Sequence, residues 1–450
     1  MAQDLANERV TIRDLGDGLV IRLATVADTE ELAAFNANIH RMAGATEPDE
    51  GIAGWTRELM KGDHPTVSAS DNLLVEDTRT GAIVSTANLI SQTWSYGGIP
   101  FGVGRPELVG TLPDYRNRGL VRAQFEVIHR WSAERGELVQ AITGIPYYYR
   151  LFGYEMALQF DALRLGYKPH VPVLKEGDPE PYRFRPATDD DIPFLSEVYA
   201  HSMQRAPVAC LRDERIWKYE LHGRDDASTY RRIFQVIEHA GSGEPVGVLD
   251  HPARLNGTVI ICGFYELKPG VSWLAVTPSV LRYLWATGKQ YAECDKKQEV
   301  GGFAFMLGTE HPVYEVAHEL LPRVRPPYAW YIRVPDLPAF IRHISPVLEQ
   351  RLADSPAVGH TGELKISFFR DGLRLVFDKG RISAESWRPT PEDQGSAAFP
   401  DLSFLRLLFG HASQEDLRAA YADCNPGTGE ARVLLKYLFP KQTSNVWALG

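Results

Sequence analysis

The sequence predicts an α/β protein of several units, with mixed β-sheets flanked by helices and an α+β unit at its end. Three observations carry this reading. A strand, a Gly-containing turn, a helix and a second strand follow one another between residues 105 and 144. A strand-to-helix segment, VIRLATVADTEELAAF (20–35), recurs as FRPATDDDIPFLSEV (184–198). A β-meander followed by helical segments occupies the last third of the chain.

At 450 residues the chain is long enough for two or three domains. Its composition, 44% hydrophobic and 24% charged, is that of a globular protein. A formal net charge of −10, with no long basic tract, argues against general affinity for a nucleic-acid backbone. The opening residues MAQDLANERVTIRDLGDG are polar and acidic, without an apolar signal segment. No run of about 18 apolar residues is present to span a membrane. Cys210, Cys262, Cys294 and Cys424 are too far apart for a metal knuckle or a redox pair. They read as free thiols in a reducing, cytoplasmic setting.

The elements follow in chain order. One fixed offset sets Arg22 on Arg185, Ala24 on Ala187, Thr25 on Thr188, Asp28 on Asp191 and Leu32 on Leu195. Each copy reads as a short strand, a Thr or Asp cap and an amphipathic helix. NLLVED (72–77) and AIVSTANLISQTWSYGG (82–98) are β-rich and joined by the turn Thr78–Gly81. RPELVGTLP (105–113) and GELVQAITG (136–144) are the strands on either side of the next helix. GYKPHVPVLKEGDPEPYR (166–183), rich in Pro and charge, reads as a linker, and LPRVRPPY marks a second break near Pro322–Pro327. The expected domains are therefore 1–165, 166–325 and 326–450.

In the third, ELKISFFRDGLRLVFDKGRISAESW (363–387) alternates apolar and polar residues, with turns at Asp371-Gly372 and Lys379-Gly380. Helices are expected around FPDLSFLRLLFG (399–410) and SQEDLRAAYA (413–422), the latter capped by Ser413.

The most informative stretch is TLPDYRNRGLVRAQF (111–125). Helix first turns usually carry acids, because the dipole is positive there. Here Arg116, Arg118 and Arg122 crowd that end around Gly119, which fits a phosphate held by unpaired amides. The helix is amphipathic: Leu120, Val121, Phe125, Ile128 and Trp131 can line one side, leaving Arg122, Glu126, His129 and Arg130 in water. No GxxxxGK[ST] is present, which argues against a nucleotide triphosphatase loop.

VGT-x-P-x-YRNRGLVR, followed by a strand and then YYYRLFGY (147–154), resembles the GCN5-related N-acetyltransferase (GNAT) family. That family's signature is R/Q-x-x-G-x-G/A after a strand. Arg116 and Gly119 match its first two positions, and Val121 replaces the usual small residue at the third. With the second, degenerate copy and the C-terminal α+β unit, the chain looks like the enhanced intracellular survival (Eis) branch. That branch has tandem GNAT folds followed by a sterol-carrier-protein-like domain. GVSWLAVTPSVLRYLW (270–285) reads as the second copy's strand, Val276-Thr277-Pro278, without R-x-x-G, so no coenzyme is expected there.

The resemblance implies an N-acetyltransferase using acetyl-CoA as co-substrate, without a metal. Val109, Gly110 and Thr111 would bond the pantetheine arm, and the amides of Asn117, Arg118, Gly119, Leu120, Val121 and Arg122 would face the pyrophosphate. Gly144 and Ile145 match a second coenzyme-contacting patch. Tyr149, at the Y-x-x-x-G-[FY] spacing before Gly153-Tyr154, would be the general acid that protonates the CoA thiolate. For the base, three choices stand: the carboxylate of Gly450, Glu107, or water. The acceptor would be the primary amine of a cationic small molecule or a lysine side chain, a class that the acidic total charge suits. A homo-oligomer, as large as a hexamer, is also implied.

Segments 28–60, with Trp55, and the loop from Trp94 to Phe101 are expected to line the pocket. Lipid binding by the C-terminal unit and a CoA-binding scaffold without catalysis are the competing readings. His129 and His170 read as solvated residues, and no HExxH or GxSxG is present.

Overall fold

The computed structural model describes residues 9–42, 44–294 and 299–450. The first unit opens with β1 (Thr11–Gly16) and β2 (Leu19–Leu23), then α1 (Thr29–Ile39) and α2 (Glu50–Lys61). Strand β3 (Asn72–Asp77) precedes a long hairpin, β4 (Ala82–Tyr96) and β5 (Ile99–Thr111). Helix α3 (Leu120–Glu134), β6 (Val139–Ile142) and β7 (Glu155–Phe160) complete the segment. Helix α3 buries Leu120, Phe125 and Ile128 of the expected stripe and Val127 beside them, while Val121 and Trp131 are half-buried.

The second unit contains β8 (Leu163–Gly166), β9 (Tyr182–Pro186), α4 (Ile192–Met203), β10 (Val208–Cys210), β11 (Arg232–His239) and β12 (Pro245–Pro252). It continues through β13 (Val259–Cys262), β14 (Tyr265–Leu267), α5 (Trp273–Cys294), β15 (Gly302–Phe305) and β16 (Arg323–Arg325). After β17 (Tyr328–Arg333) come α6 (Leu337–His343), α7 (Ser345–Ala353) and the meander β18 (Gly362–Ser367), β19 (Gly372–Asp378), β20 (Arg381–Trp387). A short β21 (Ala397–Ala398) then leads into α8 (Phe404–Leu408), α9 (Gln414–Ala420) and α10 (Gly429–Leu438). Ser413 caps α9 as expected, its hydroxyl accepting from Asp416 N.

Three strands pair outside their expected domain: β10 joins β4 of the first sheet, with Ala209 opposite Ser95, and two more cross the boundaries expected at 165 and 325. Strand β17 lies in the first sheet, antiparallel between β6 and β7, pairing Tyr331 with Ile142 and Trp330 with Leu158. Strand β8 lies in the sheet β13-β15-β8-β16 of the second unit. Neither pairing is signalled locally, because both partners are distant in sequence. Segment 270–285 needs a plainer correction: it is helix from Trp273, with Val276, Thr277 and Pro278 inside α5. Strand β14 just before it is the edge strand of the sheet β14-β12-β11-β9. The β-branched residues read as strand, but their burial is on a helix face.

The segment from Trp94 to Phe101 likewise does not line the cleft between β5 and β6. Trp94, Tyr96 and Phe101 are buried in a core shared with Trp330, Phe340 and Leu408. Phe404, Leu405, Leu407 and Leu408 pack into that same core, so α8 ties the third unit to the first sheet. No described helix is long and apolar enough to cross a membrane.

The internal echo is a repeated ion-pair motif. Arg22 grips Asp28 through both terminal nitrogens at 2.9 and 2.8 Å, and Asp28 also accepts from Thr25 N and Oγ1. Arg185 grips Asp191 at 2.7 Å in the same way, and Asp191 accepts from Thr188. The echo extends to an acid on a neighbouring strand: Glu76 bonds Arg22 Nε and Glu238 bonds Arg185 Nε. Burial alone would raise the Asp28 pKa, but the bonds from Arg22 and Thr25 win and lower it. That contribution to stability is present at neutral pH and is lost as pH falls through the folded pKa.

Asp28→Asn is expected to cost about 3 kcal/mol in urea unfolding, because it removes the carboxylate bound to both terminal nitrogens of a buried guanidinium and leaves Glu76 alone to balance it. Asp191→Asn should cost clearly less, since the Arg185 side chain is 37% exposed and water can replace the partner. Equal losses would contradict this account.

Candidate active site

Strands β5 and β6 run parallel but pair only at Val103–Val139 and Gly104–Gln140. Beyond these positions they part, and a cavity of about 900 Å³ opens between them. The parting coincides with a bulge in β5, where the register shifts opposite Ala87 and Leu108 takes φ +49°. Thr86 Oγ1 donates to the Leu108 carbonyl at 2.9 Å and helps hold that turn of backbone. Leu112 N bonds Val84 O of β4, so by alternation Val109 and Thr111 turn their main-chain groups to the open side.

At the mouth of the cavity, Asn117 and Gly119 both take the left-handed conformation, at φ +63° and +76°. They wind the chain into the N-terminus of α3, so that none of the amides of Asn117 through Arg122 finds a hydrogen-bond partner among the described residues. A Cβ added at Gly119 would meet nothing within 4 Å, so the glycine is demanded by its backbone angle and leaves open space beside the amides. The three arginines are exposed: Arg118 lies over the Tyr115 ring, Arg122 over Phe152, and Arg116 Nε reaches Thr111 O at 3.4 Å. Val121 is half-buried against Phe125 and Tyr149, which explains bulk where a small residue was expected.

Tyr149 is 4% exposed, and its ring packs between Phe125 and Tyr331. Its hydroxyl lies beside Gly144 on the cavity wall, without a hydrogen-bond partner among the described residues. Burial, reinforced by the nearby Glu107 charge, pushes the phenol pKa far above its ordinary value. The turn carrying it is pinned by β17. Tyr331 Oη accepts from Tyr147 N and donates to Ile145 O, while Tyr328 Oη donates to Gly144 O at 2.9 Å. This contact holds Tyr147 at φ +59°.

Glu107 lines the cavity, and burial raises its pKa while its pairing with Arg105 pulls the other way. Val109, Gly110, Thr111, Asn117, Gly119, Leu120, Val121, Arg122, Gly144 and Ile145 line the same cavity. Trp55 does too, as expected. Gly450 does not: its carbonyl accepts from Arg224 at 2.7 Å and bonds His64 at 3.1 Å, close against Tyr230. Tyr230 in turn packs on Trp55 at 4.5 Å, so an aromatic pair stands between Gly450 and the cavity.

His129, read as solvated, is half-buried and bonds Tyr154 Oη at 2.8 Å; burial lowers its pKa to about 3 and keeps it neutral. Sequence reasoning missed His40, which lines the cavity and whose pKa burial lowers. A single histidine at a helix end gave no signal. It also missed Arg105, whose guanidinium holds Glu107.

Residues 21–157 match the family model for the acetyltransferase (GNAT) domain. Among solved structures, a GCN5-related N-acetyltransferase from Anabaena variabilis is 13% identical with TM-score 0.62, covering 95% of this chain and 99% of that chain. One from Kribbella flavida is 16% identical with TM-score 0.61, covering 96% and 98%. Eis1 from Mycobacterium abscessus is 14% identical with TM-score 0.58, covering 95% and 99%. No curated protein sequence matches the chain. The chain thus carries an acetyltransferase (GNAT) domain within an α/β fold shared along nearly its whole length, and its class is that of an acyltransferase.

Tyr331→Phe should free the 145–149 turn, at a cost of about 1–2 kcal/mol. Hydrogen exchange of the amides of Ile145, Tyr147, Tyr148 and Tyr149 is expected to quicken about tenfold, with β3 and β4 unchanged. Unchanged exchange in that turn would contradict the pinning role.

Proposed function

We propose that the protein is an Eis-like N-acetyltransferase that moves the acetyl group of acetyl-CoA to a primary amine. The run of unbonded amides from 117 to 122 beside Tyr149's free hydroxyl carries this reading. The donor fits these residues: an anion satisfies the amides at a helix N-terminus, and the open edge of β5 offers bonds to an amide-containing arm. When bound, acetyl-CoA supplies an activated acyl carbon and a thiolate leaving group.

The residues divide the remaining work. The amides of Asn117 through Arg122 hold the pyrophosphate. Val109, Gly110 and Thr111, with Gly144 and Ile145 opposite, orient the arm along the cleft. Tyr149 holds its proton at Oη and delivers it to the departing sulfur. As the new N–C bond forms and the C–S bond breaks, the nitrogen's proton passes to Glu107, whose raised pKa suits a base. Glu107 takes that role rather than Gly450, whose carbonyl is engaged by Arg224 and His64 outside the cavity. The acceptor is a primary amine, drawn from the cationic small molecules or lysine side chains. The third unit is read as sterol-carrier-like from its meander and helices.

Acetyl-CoA with an amine panel should release thiol, and calorimetry should show acetyl-CoA binding; the absence of both would sink the proposal. Tyr149→Phe should lower kcat by about 10²–10⁴-fold while acetyl-CoA affinity stays within about twofold. Because the phenol pKa is raised, the donor form persists into alkaline solution. The rate should therefore rise with pH and reach a plateau, with no fall up to about pH 10. A descending limb near pH 8, abolished in Tyr149→Phe, would contradict the assigned role.

A further inference from the structure

A second cavity, of about 190 Å³, adjoins the first. Thr143 lines both. Glu107 of the cleft is ion-paired to Arg105, which lines the second cavity, and Trp55 of the cleft packs on Tyr230, which also lines it. The chamber therefore adjoins the residue assigned as base, with Arg105 between them.

Its walls carry three arginines, Arg105, Arg224 and Arg232, brought together from the first and second units. Arg232 spends Nε and Nη2 on Asp250, at 2.8 and 2.7 Å, and Nη2 also on Ile261 O. Its Nη1 has no partner among the described residues. Arg224 is held by Glu220, Glu58 and Gly450 O. The balancing acids Glu58, Glu107 and Asp250 do not line the chamber. The two acids that do, Glu220 and Asp161, already accept from arginines: Arg212 and Arg224 for one, Arg325 for the other. Trp330, Phe160, Tyr230 and Trp447 add aromatic surface to the walls.

A ligand in this space meets guanidinium edges first. The free nitrogen of Arg232 is a donor, and an ammonium group has donors only, so a polycation leaves it unmatched and is a poor occupant. A carboxylate is a good one, because it accepts a charge-assisted hydrogen bond from the Nη1 of Arg232 that Asp250 leaves free. We propose that this chamber holds the acceptor, and that the acceptor is a primary amine that also bears a carboxylate, as an amino acid does. The inference rests on the acetyl-transfer reading and narrows its acceptor class. The carboxylate meets Arg232, and the amine lies at the Thr143 end beside Glu107.

Matched pairs test this by thiol release from acetyl-CoA: glycine and glycinamide, phenylalanine and phenylalaninamide, 4-aminobenzoate and 4-aminobenzamide, with spermidine alongside. In at least one pair the acid should exceed its amide by about tenfold in kcat/KM, and spermidine should trail it. Arg232→Gln should erase that preference through KM while the amide's rate stays within about twofold. Arg232→Lys, which can still pair with Asp250, guards against a folding defect and should lose most of the same preference. If the amide or spermidine is the better substrate throughout, the proposal is overturned. It is also overturned if acetyl-CoA binds but no amine is acetylated; loss of acetyl-CoA binding as well would instead remove the acetyl-transfer reading beneath it.

Discussion

Two parallel strands that share hydrogen bonds at Val103–Val139 and Gly104–Gln140, and then separate, set the terms for everything else in this molecule. A sheet that opens leaves main-chain groups without partners, which is costly in a buried place and useful at a binding site. Here the opening is stabilised from three sides. The bulge at Leu108 turns β5 aside, α3 fills one flank with Phe125, and β17 braces β6 from the other edge. The cleft is therefore a consequence of long-range pairing, and Tyr149 depends on Tyr331 for its place although 182 residues (331 minus 149) separate them.

The local parts of this arrangement were legible in the sequence. Asn117 and Gly119 are separated in the chain only by Arg118, so their left-handed turn and the amides it frees follow from a short motif. Tyr149 was found by its distance from Gly153. The ion pair of Arg22 with Asp28, and of Arg185 with Asp191, left a visible echo because both partners lie within one strand-to-helix turn. Pairings across long separations left none. The insertion of β17 into the first sheet, the crossing of β8 into the second, and the acids Glu76 and Glu238 completing each ion-pair motif appear only in three dimensions. Segment 273–294 misled because Val-Thr-Pro resembles a strand end, while its apolar residues in fact repeat at helical spacing along α5.

The last residues of the described chain join the units in a way that the sequence hinted at only by its apolar character. Trp447 stacks on Phe264 and lies beneath the Arg212 guanidinium, 3.7 Å from the ring centre. The Leu449 carbonyl is held by Gln92 and Arg105, and that of Gly450 by Arg224 and His64. Arg105 thus bonds the tail with one arm and Glu107 with the other. Through this shared guanidinium, the docking of the tail and the orientation of the cavity's carboxylate are one structural event.

The account turns on the claim that the amides of 117–122 are kept free for an anion. Amide hydrogen exchange, measured residue by residue with and without acetyl-CoA, tests it most directly. The account predicts slowing concentrated at 117–122, with a smaller effect at 109–111 on the open edge of β5. Binding of acetyl-CoA that leaves exchange at 117–122 unchanged, with protection appearing in the second or third unit instead, would contradict it.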